Sequence, residues 1–529
     1  MKLESYLGNL SPEKKDILLG KETSDPLHES FPNKRVVHVG LMGKPITENQ
    51  QIFYQQALSE APDMTRQHVV YIHIPFCRTK CLYCGFYQNA SKQEVEDAYI
   101  DRLVAEIKRD GASSQLKNTP IDCVFIGGGT PTSLSVDNIT KLLSTIRATF
   151  NLSPSCEFTL EGRIHDVMPK KITAWLSNGV NRISLGVQSF NTELRRRVGR
   201  LNTREEVLKR LAMLKAHDVT LIVDLIYGLP GQTMDMWLDD VKTLAEADVD
   251  GMDLYQLNIF PGGALDKALK NGRIPACATI AGQGDMYVAA RDYLLEQGTE
   301  RLSLCHWRRN KRERSLYNTM AKAGADVYAF GCCAGGHFGG ISWMNERVLK
   351  DYERVQGQGD KPIMMAAYTV ERKLGMIGDK IISDMEKGFV DFRGLLVMDN
   401  RIEELEQVLA LWQKRGLMTE DVGIYRLTAA GEFWYISLSQ SLVEFAQILL
   451  ENNASEAPVE EINGKANDYL DEVLAEIMPG STPESRGAML RKMPVAVQMM
   501  LRKAGKDTLK NMLKNMPASM REKMIPGLN

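Results

Sequence analysis

Three cysteines share one short segment, YIHIPFCRTKCLYCGF, at Cys77, Cys81 and Cys84. The spacing CxxxCxxC puts three thiolates on a single tight loop. Each can ligate one iron of a [4Fe-4S] cubane, and the fourth iron then lacks a protein ligand and stays open to a small molecule; cluster sites without an open position carry four cysteines. Zinc is the alternative. It would want a fourth Cys or His at suitable spacing, and none follows closely. The chain has nine cysteines in all, an odd number spread unevenly. That argues against a disulfide framework and for reduced thiols with a chemical use at one place.

Such a loop needs a frame behind it. Largely apolar runs at residues 68–75, 122–129, 157–163, 182–188, 220–229 and 251–260 read as strands, each followed by turn residues. Stretches at 95–109, 136–150 and 204–217 carry apolar residues at helical spacing. Repeated strand–helix units of this length imply parallel strands with right-handed crossovers. Six of them predict an α/β fold, a partial (β/α)6 TIM-type barrel, in which ligands collect at the C-terminal ends of the strands. The chemically unusual residues fall there: the cysteine loop after the first strand, residues 127–131 after the second, Glu161 late in the third, Gln188 ending the fourth, Asp224 in the fifth and Asn258 in the sixth. Residues 1–66 read as an N-terminal leader and 67–366 as the core with its extension. Residues 367–452 read as a helical domain with a winged turn, and 453–529 as an acidic linker and a basic, Met-rich helical tail.

The ordered motifs YIHIPFCRTKCLYC, GGGTP at 127–131, NRISLGVQSF at 181–190 and DLIYGLPGQT at 224–233 resemble the radical S-adenosylmethionine (SAM) branch that contains oxygen-independent coproporphyrinogen III oxidase and its relatives. By that resemblance Tyr71 and Tyr83 flank the cluster and the SAM adenine, and Gly128, Gly129 and Thr130 form the backbone edge that receives the SAM amino group. Only a backbone without a side chain approaches a ligand so closely. Glu161 resembles the ribose-binding carboxylate. Gln188, Arg200, Asp224 and Asn258 resemble polar contacts to SAM, in some members to a second SAM. Read without the family, Glu161 could be a helix cap and Arg200 a surface charge. The resemblance implies the reaction class too: one electron from the reduced cluster cleaves a carbon–sulfur bond of SAM and yields a carbon radical. A flavodoxin-like or other flavin electron donor is the implied partner.

Within that branch the oxidase carries a further cysteine two places after its third ligand, where this chain has Phe86. A phenylalanine there resembles the branch's heme-binding chaperones. The segments GMDLYQLNIFPGGAL at 251–265, RNKRERSLYNTMAKAGADVYAFGCCAGGHFGG at 309–340 and YRLTAAGEFWYISLSQSL at 425–442 resemble the anaerobic heme-degrading radical SAM methyltransferases, the anaerobilin synthases. That likeness implies two SAM molecules, one the radical source and one the donor of a methyl-derived carbon, with heme as substrate. The macrocycle opens, and iron leaves with a linear tetrapyrrole that a downstream heme- or tetrapyrrole-handling protein would receive. Three readings therefore stand: a heme-opening methyltransferase, a heme chaperone and a coproporphyrinogen oxidase.

Gly331, Gly335, Gly336, Gly339 and Gly340 would let the backbone turn sharply or lie flat against a planar ligand. Cys332, Cys333 and His337 add groups able to bind iron or move protons, and His306 is a second histidine of that kind. Nearby Arg308, Arg309, Lys311, Arg312 and Arg314 could pair with heme propionates. The plainer alternatives are a tight turn with cysteines packed as small apolar residues and a solvated basic loop.

The bulk composition is ordinary for a soluble protein: 529 residues, 44% hydrophobic and 25% charged, with a formal net charge of -2. No global field favours nucleic acid. No apolar run approaches the roughly 18 residues of a membrane-spanning helix. The N-terminus has no apolar signal core, so a cytoplasmic location is expected. The tail is basic and carries a near-repeat, MLRKMP at 489–494 and MLKNMP at 512–517. It reads as a docking arm for an electron donor, a heme-handling segment or a helical appendage.

Overall fold

Parallel strands covered on both faces are apolar nearly throughout, and the strand Arg182–Gln188 is buried at every position. It lies in the middle of a sheet in which all six sequence-predicted strands form. In chain order these are β1 (His68–Ile74), β2 (Pro120–Gly128), β3 (Asn151–Gly162), β4 (Arg182–Gln188), β5 (Thr220–Tyr227) and β6 (Gly251–Gln256). Neighbours in this order pair in parallel, with Val70 beside Val124, Val124 beside Phe158, Leu160 beside Ile183, Ile183 beside Leu221 and Val223 beside Met252. A computed structural model describes residues 3–35, 44–85, 89–368 and 372–452, with residues 472, 473, 475, 476, 482 and 486. Phe86 and, apart from those few positions, the acidic linker and Met-rich tail lie outside the described residues.

The crossovers are helical: α1 (Gln93–Gly111), α2 (Val136–Thr149), α3 (Pro169–Ser177), α4 (Arg204–Lys215) and α5 (Met234–Glu246). Local chemistry starts them where the strands end. Ser135 and Thr233 accept from backbone N–H groups at the starts of α2 and α5, and Thr203 with Glu206 forms a reciprocal cap on α4. Such caps satisfy donors that have no partner inside the helix.

Beyond β6 the sheet continues with antiparallel β7 (His306–Arg308) and the short strand Glu300–Arg301. On its other side, against β1, comes a seventh parallel strand, β8 (Asp326–Phe330), with Ala329 beside Tyr71. A hairpin of β9 (Gly335–Phe338) and β10 (Ile341–Asn345) follows, then β11 (Ile363–Tyr368) and the leader strand Lys44–Ile46. The thirteen strands have one linear order whose ends do not meet, so the barrel is partial, as predicted. The glycine-rich stretch is ordered sheet rather than a flexible loop. Its tight spot follows β8, where Gly331 has φ +98° and an added Cβ would lie 2.6 Å from the His73 carbonyl oxygen.

Residues 372–452 form helices and a three-stranded sheet (Phe389–Asp391, Met418–Asp421, Ile424–Leu427). The last two strands turn through Val422 and Gly423, both at positive φ, as a right-twisted two-residue hairpin requires. The long helix α8 that ends this region belongs in sequence after α6 (Ile280–Glu296) and α7 (Leu316–Lys322) and spans Ala429–Asn452. The leader packs on it: Leu18, Leu19 and Phe31 are buried, and Trp434 Nε1 donates to the Pro26 and Leu27 carbonyls at 3.1 and 3.0 Å. No helix among the described residues is long and apolar enough to cross a membrane.

Behind β8 a lysine is wholly buried. Lys361 Nζ reaches Glu106 Oε1 at 2.8 Å, Asp110 Oδ2 at 3.1 Å and the Ala329 carbonyl at 2.8 Å, tying α1 to β8. Lys361→Met leaves the buried Glu106 carboxylate without its cation and Asp110 with Arg109 alone, and breaking a buried pair in this way costs about 3–5 kcal/mol. The expected result is a clearly lower urea midpoint than wild type; an unchanged midpoint would refute this role.

Candidate functional site

Cys77 closes a two-residue strand just past β1, and Cys81 and Cys84 follow on the turn. Cys77 and Cys81 are buried and Cys84 is half-buried. The Cys77 sulfur accepts from Thr130 Oγ1 and from Arg163 Nη2, each at 3.3 Å. Burial raises the Cys77 thiol pKa, while Arg163 and Thr130 pull it back. Thr130 was expected on the edge that meets SAM; its side chain faces the cysteine loop. Among the described residues no three His, Cys, Asp or Glu side chains converge as tightly as a single ion requires. A cubane asks for a wider spacing, because each thiolate takes a different iron. Three cysteines on one loop, one of them receiving two donors, fit a cluster.

The loop after β2 lies alongside. Gly129 N donates to the Ile74 carbonyl at 2.8 Å, and a Cβ at Gly129 would sit 2.5 Å from the Phe76 carbonyl oxygen. Gly128 has φ +114° and its N–H reaches Glu161 Oε2 at 3.2 Å. A Cβ at Gly127 would be 2.7 Å from the same carboxylate oxygen. Glycines here keep the backbone edge and Glu161 in one cradle. Burial, then Asp224, pushes the Glu161 pKa up to about 8. Asp224 accepts from Ser184 Oγ at 3.0 Å, and burial, then Asp253, pushes it up to about 7.

Gln188 ends β4 at φ +73°, a conformation L-residues rarely adopt, and its Oε1 is buried without a partner. Strain of that kind is held in place by surrounding structure and gathers at binding sites. Arg200 and Tyr83 form one unit, with Arg200 Nη2 donating to the Tyr83 hydroxyl at 2.9 Å; burial pushes the Tyr83 pKa up to about 12. Tyr71 donates to or accepts from His73 Nδ1 at 2.9 Å and stacks on Phe125 and on Tyr317 of α7. Asn258 lies half-buried two positions past the end of β6.

Below this cradle lies a charged network that the sequence shows only through His306. Arg182 grips Glu313 with two hydrogen bonds of 2.9 and 3.0 Å. His306 Nε2 meets Glu313 at 3.0 Å and its Nδ1 meets Asp253 at 2.8 Å. Both nitrogens are occupied by carboxylates, which hold the imidazole protonated and raise its pKa to about 9 against its burial. An imidazolium so held has no lone pair for iron.

His337 is elsewhere. It stands in β9 opposite Val327, at the level of Val69 near the start of β1, while the cysteines follow that strand's other end. Burial and Arg66 push its pKa down to about 4. Cys332 packs in the core, its thiol donating to the Glu346 carbonyl, and Cys333 is half-buried at φ +71°. Arg308, Arg309, Arg312 and Arg314 pair with Glu300, Asp248, Asp218 and Glu157, and Lys311 is exposed. The structure gathers the cysteines, glycines, Thr130, Glu161, Arg200, Tyr83 and Asp224, and leaves His337 and the basic loop apart. Arg163, which reaches the Cys77 sulfur, and Arg78 and Lys171, which hold the turn at residues 131–133, carried no sequence signal because arginine and lysine are commonplace surface residues.

A partial barrel of parallel strands with a three-cysteine loop at its C-terminal end defines the class. The radical SAM superfamily model matches residues 71–244, and the chain belongs to that superfamily. It is 36% identical over 422 residues to an anaerobilin synthase of Escherichia coli O157:H7, covering 80% of this chain and 94% of that protein. It is 32% identical over 292 residues to the heme chaperone HemW of Lactococcus lactis, covering 55% of this chain and 74% of that one. The solved structure of coproporphyrinogen III oxidase (HemN) from Escherichia coli shares the fold, with a TM-score of 0.66 at 22% identity over 75% of this chain and 94% of that chain.

Two outcomes follow from the histidines. His306 has a folded pKa of about 9 against an ordinary 6.5. Its stabilising contribution is therefore complete below about pH 6.5 and lost as pH rises through about 9. Thermal midpoints measured between those limits are expected to fall more in wild type than in His306→Gln; parallel curves would contradict the assignment. His337→Ala is expected to leave reductive cleavage of SAM by the cluster-loaded protein at the wild-type rate, and a large drop in a variant that still folds would return His337 to the site.

Proposed function

We propose that this chain is a radical SAM methyltransferase that opens heme anaerobically, transferring a SAM-derived carbon and releasing iron with a linear tetrapyrrole. The observation that supports it most is the extent of the likeness to an anaerobilin synthase, which spans nearly the whole of that relative. The likeness to a heme chaperone covers much less of this chain. When bound, the cluster and SAM supply the one-electron chemistry; the protein binds, orients and shields them.

In this reading Cys77, Cys81 and Cys84 hold the cluster. The backbone at Gly128 and Gly129 receives the amino end of SAM. Glu161 accepts from the ribose hydroxyls, and Gln188, with its unpartnered Oε1, supplies a ready acceptor. Arg200 and Tyr83 act as a coupled pair beside the cluster, and Asp224 and Asn258 extend the polar wall toward a second SAM. The stacked rings of Tyr71, Phe125 and Tyr317 give a stiff apolar side to this proposed site, which keeps water from the reacting groups. Tyr255 on β6 and Ile259 just past it, each 42% exposed, and Leu201, 64% exposed, offer apolar surface to a flat macrocycle. A flavin electron donor completes the system.

The second reading is a heme chaperone, favoured by the likeness to HemW and by Phe86. The discriminating experiment is anaerobic incubation of the cluster-loaded protein with heme, a low-potential reductant and SAM labelled in its methyl group. Loss of the heme absorption band with label in a tetrapyrrole product is expected. Tight heme binding with an unchanged macrocycle and no labelled product would overturn the proposal in favour of the chaperone.

A further inference from the structure

Three cations lie where the cysteine loop meets the turn at residues 131–133. Arg78 donates to the Ser133 carbonyl at 3.2 Å, and Lys171 donates to the Thr132 carbonyl at 2.6 Å. Both stand 3.7 Å from the buried carboxylate of Asp166, so the two share one counter-charge. Arg163 differs. Its Nη1 donates to the Thr79 carbonyl and to Thr79 Oγ1, both at 3.0 Å, and its Nη2 donates to the Cys77 sulfur at 3.3 Å. Among the described residues it has no carboxylate partner.

The strand geometry explains how it gets there. Residues two apart on a strand face the same side, so the end of β3 presents Glu161 to the glycine loop and Arg163 to the cysteine loop. Gly162 between them makes this possible, since a Cβ there would lie 2.3 Å from the Thr132 side chain. Without that Cβ the chain seats against Thr132, and Arg163 N donates to Thr132 Oγ1 at 3.2 Å. One strand end thereby serves the cofactor pocket and the cluster ligand together.

We propose that Arg163 is a positioning residue that holds the Cys77 thiolate and raises the reduction potential of the cluster. The inference rests on Cys77 being a cluster ligand. Reduction adds one electron, taken from an external low-potential donor, and makes the cluster and its thiolates more negative by one charge. An uncompensated guanidinium and its N–H···S bond stabilise the reduced state more than the oxidised one, and hydrogen bonds to cluster sulfurs are among the determinants of potential. Thr130 adds a neutral donor to the same sulfur. The consequence is a cluster that a weaker donor can reduce, at the expense of driving force for cleaving SAM.

The test is a potentiometric titration followed by electron paramagnetic resonance on reconstituted full-length protein, with iron and sulfide counted per chain. Arg163→Met with a full cluster is expected to titrate at a more negative midpoint than wild type. Arg163→Lys, which keeps the charge but not the fork to Thr79, is expected to fall between them. A wild-type midpoint in a fully loaded Arg163→Met overturns the proposal. So does an Arg163→Met that cannot hold the cluster beside an Arg163→Lys that holds it at the wild-type potential, because Arg163 would then only support the loop. Absence of any cluster in the wild type would instead remove the ligand assignment on which the inference stands.

Discussion

The Arg182–Glu313 pair lies where water cannot compensate it, at 2% and 0% exposure. Buried charges persist only when they are paired and hydrogen-bonded. Here that requirement joins parts of the chain far apart in sequence: β4 through Arg182, β7 through His306, β6 through Asp253 and the segment entering α7 through Glu313. Asp224 lies beside Asp253 in the sheet and Glu161 stands on β3, and their raised pKa values come from the same burial without an ion-paired cation among the described residues.

The upper end of the barrel has a different electrostatic character. Near the cysteine loop Arg78 and Lys171 share one carboxylate, Asp166, and Arg163 reaches the Cys77 sulfur with no carboxylate partner among the described residues. A positive surround suits three thiolates and a cluster that becomes more negative on reduction. Between the two regions the glycines at 127 and 128 close on the Glu161 carboxylate.

The C-terminal region and the leader enclose this core from one side. Trp434 on α8 and Trp412 before it each donate to leader carbonyls, so the first residues of the chain are fastened by some of the last described ones. At the other edge of the sheet, Lys361 fastens β8 to α1. Both fastenings use buried polar groups, which give directional contacts where apolar packing would tolerate sliding.

The cysteine loop, the glycine run and the six parallel strands were legible in the sequence because each depends on local spacing: three thiols on one turn, glycines where a backbone must come close, apolar runs ended by turns. The seventh strand was not, since DVYAF reads equally as core and only pairing with β1 makes it a strand. His337 looked chemically available in its glycine setting; the hairpin that pairs it opposite Val327 carries it to the far end of the barrel. His306 looked like a ligand, and two carboxylates, Glu313 seven residues on and Asp253 from β6, turned it into a buried cation. Arg163 looked like any surface arginine, and the end of β3 brought it to Cys77. Residue type and spacing determined which chemistry the chain can host. Long-range pairing and the neutralisation of buried charge decided which of its histidines and arginines take part.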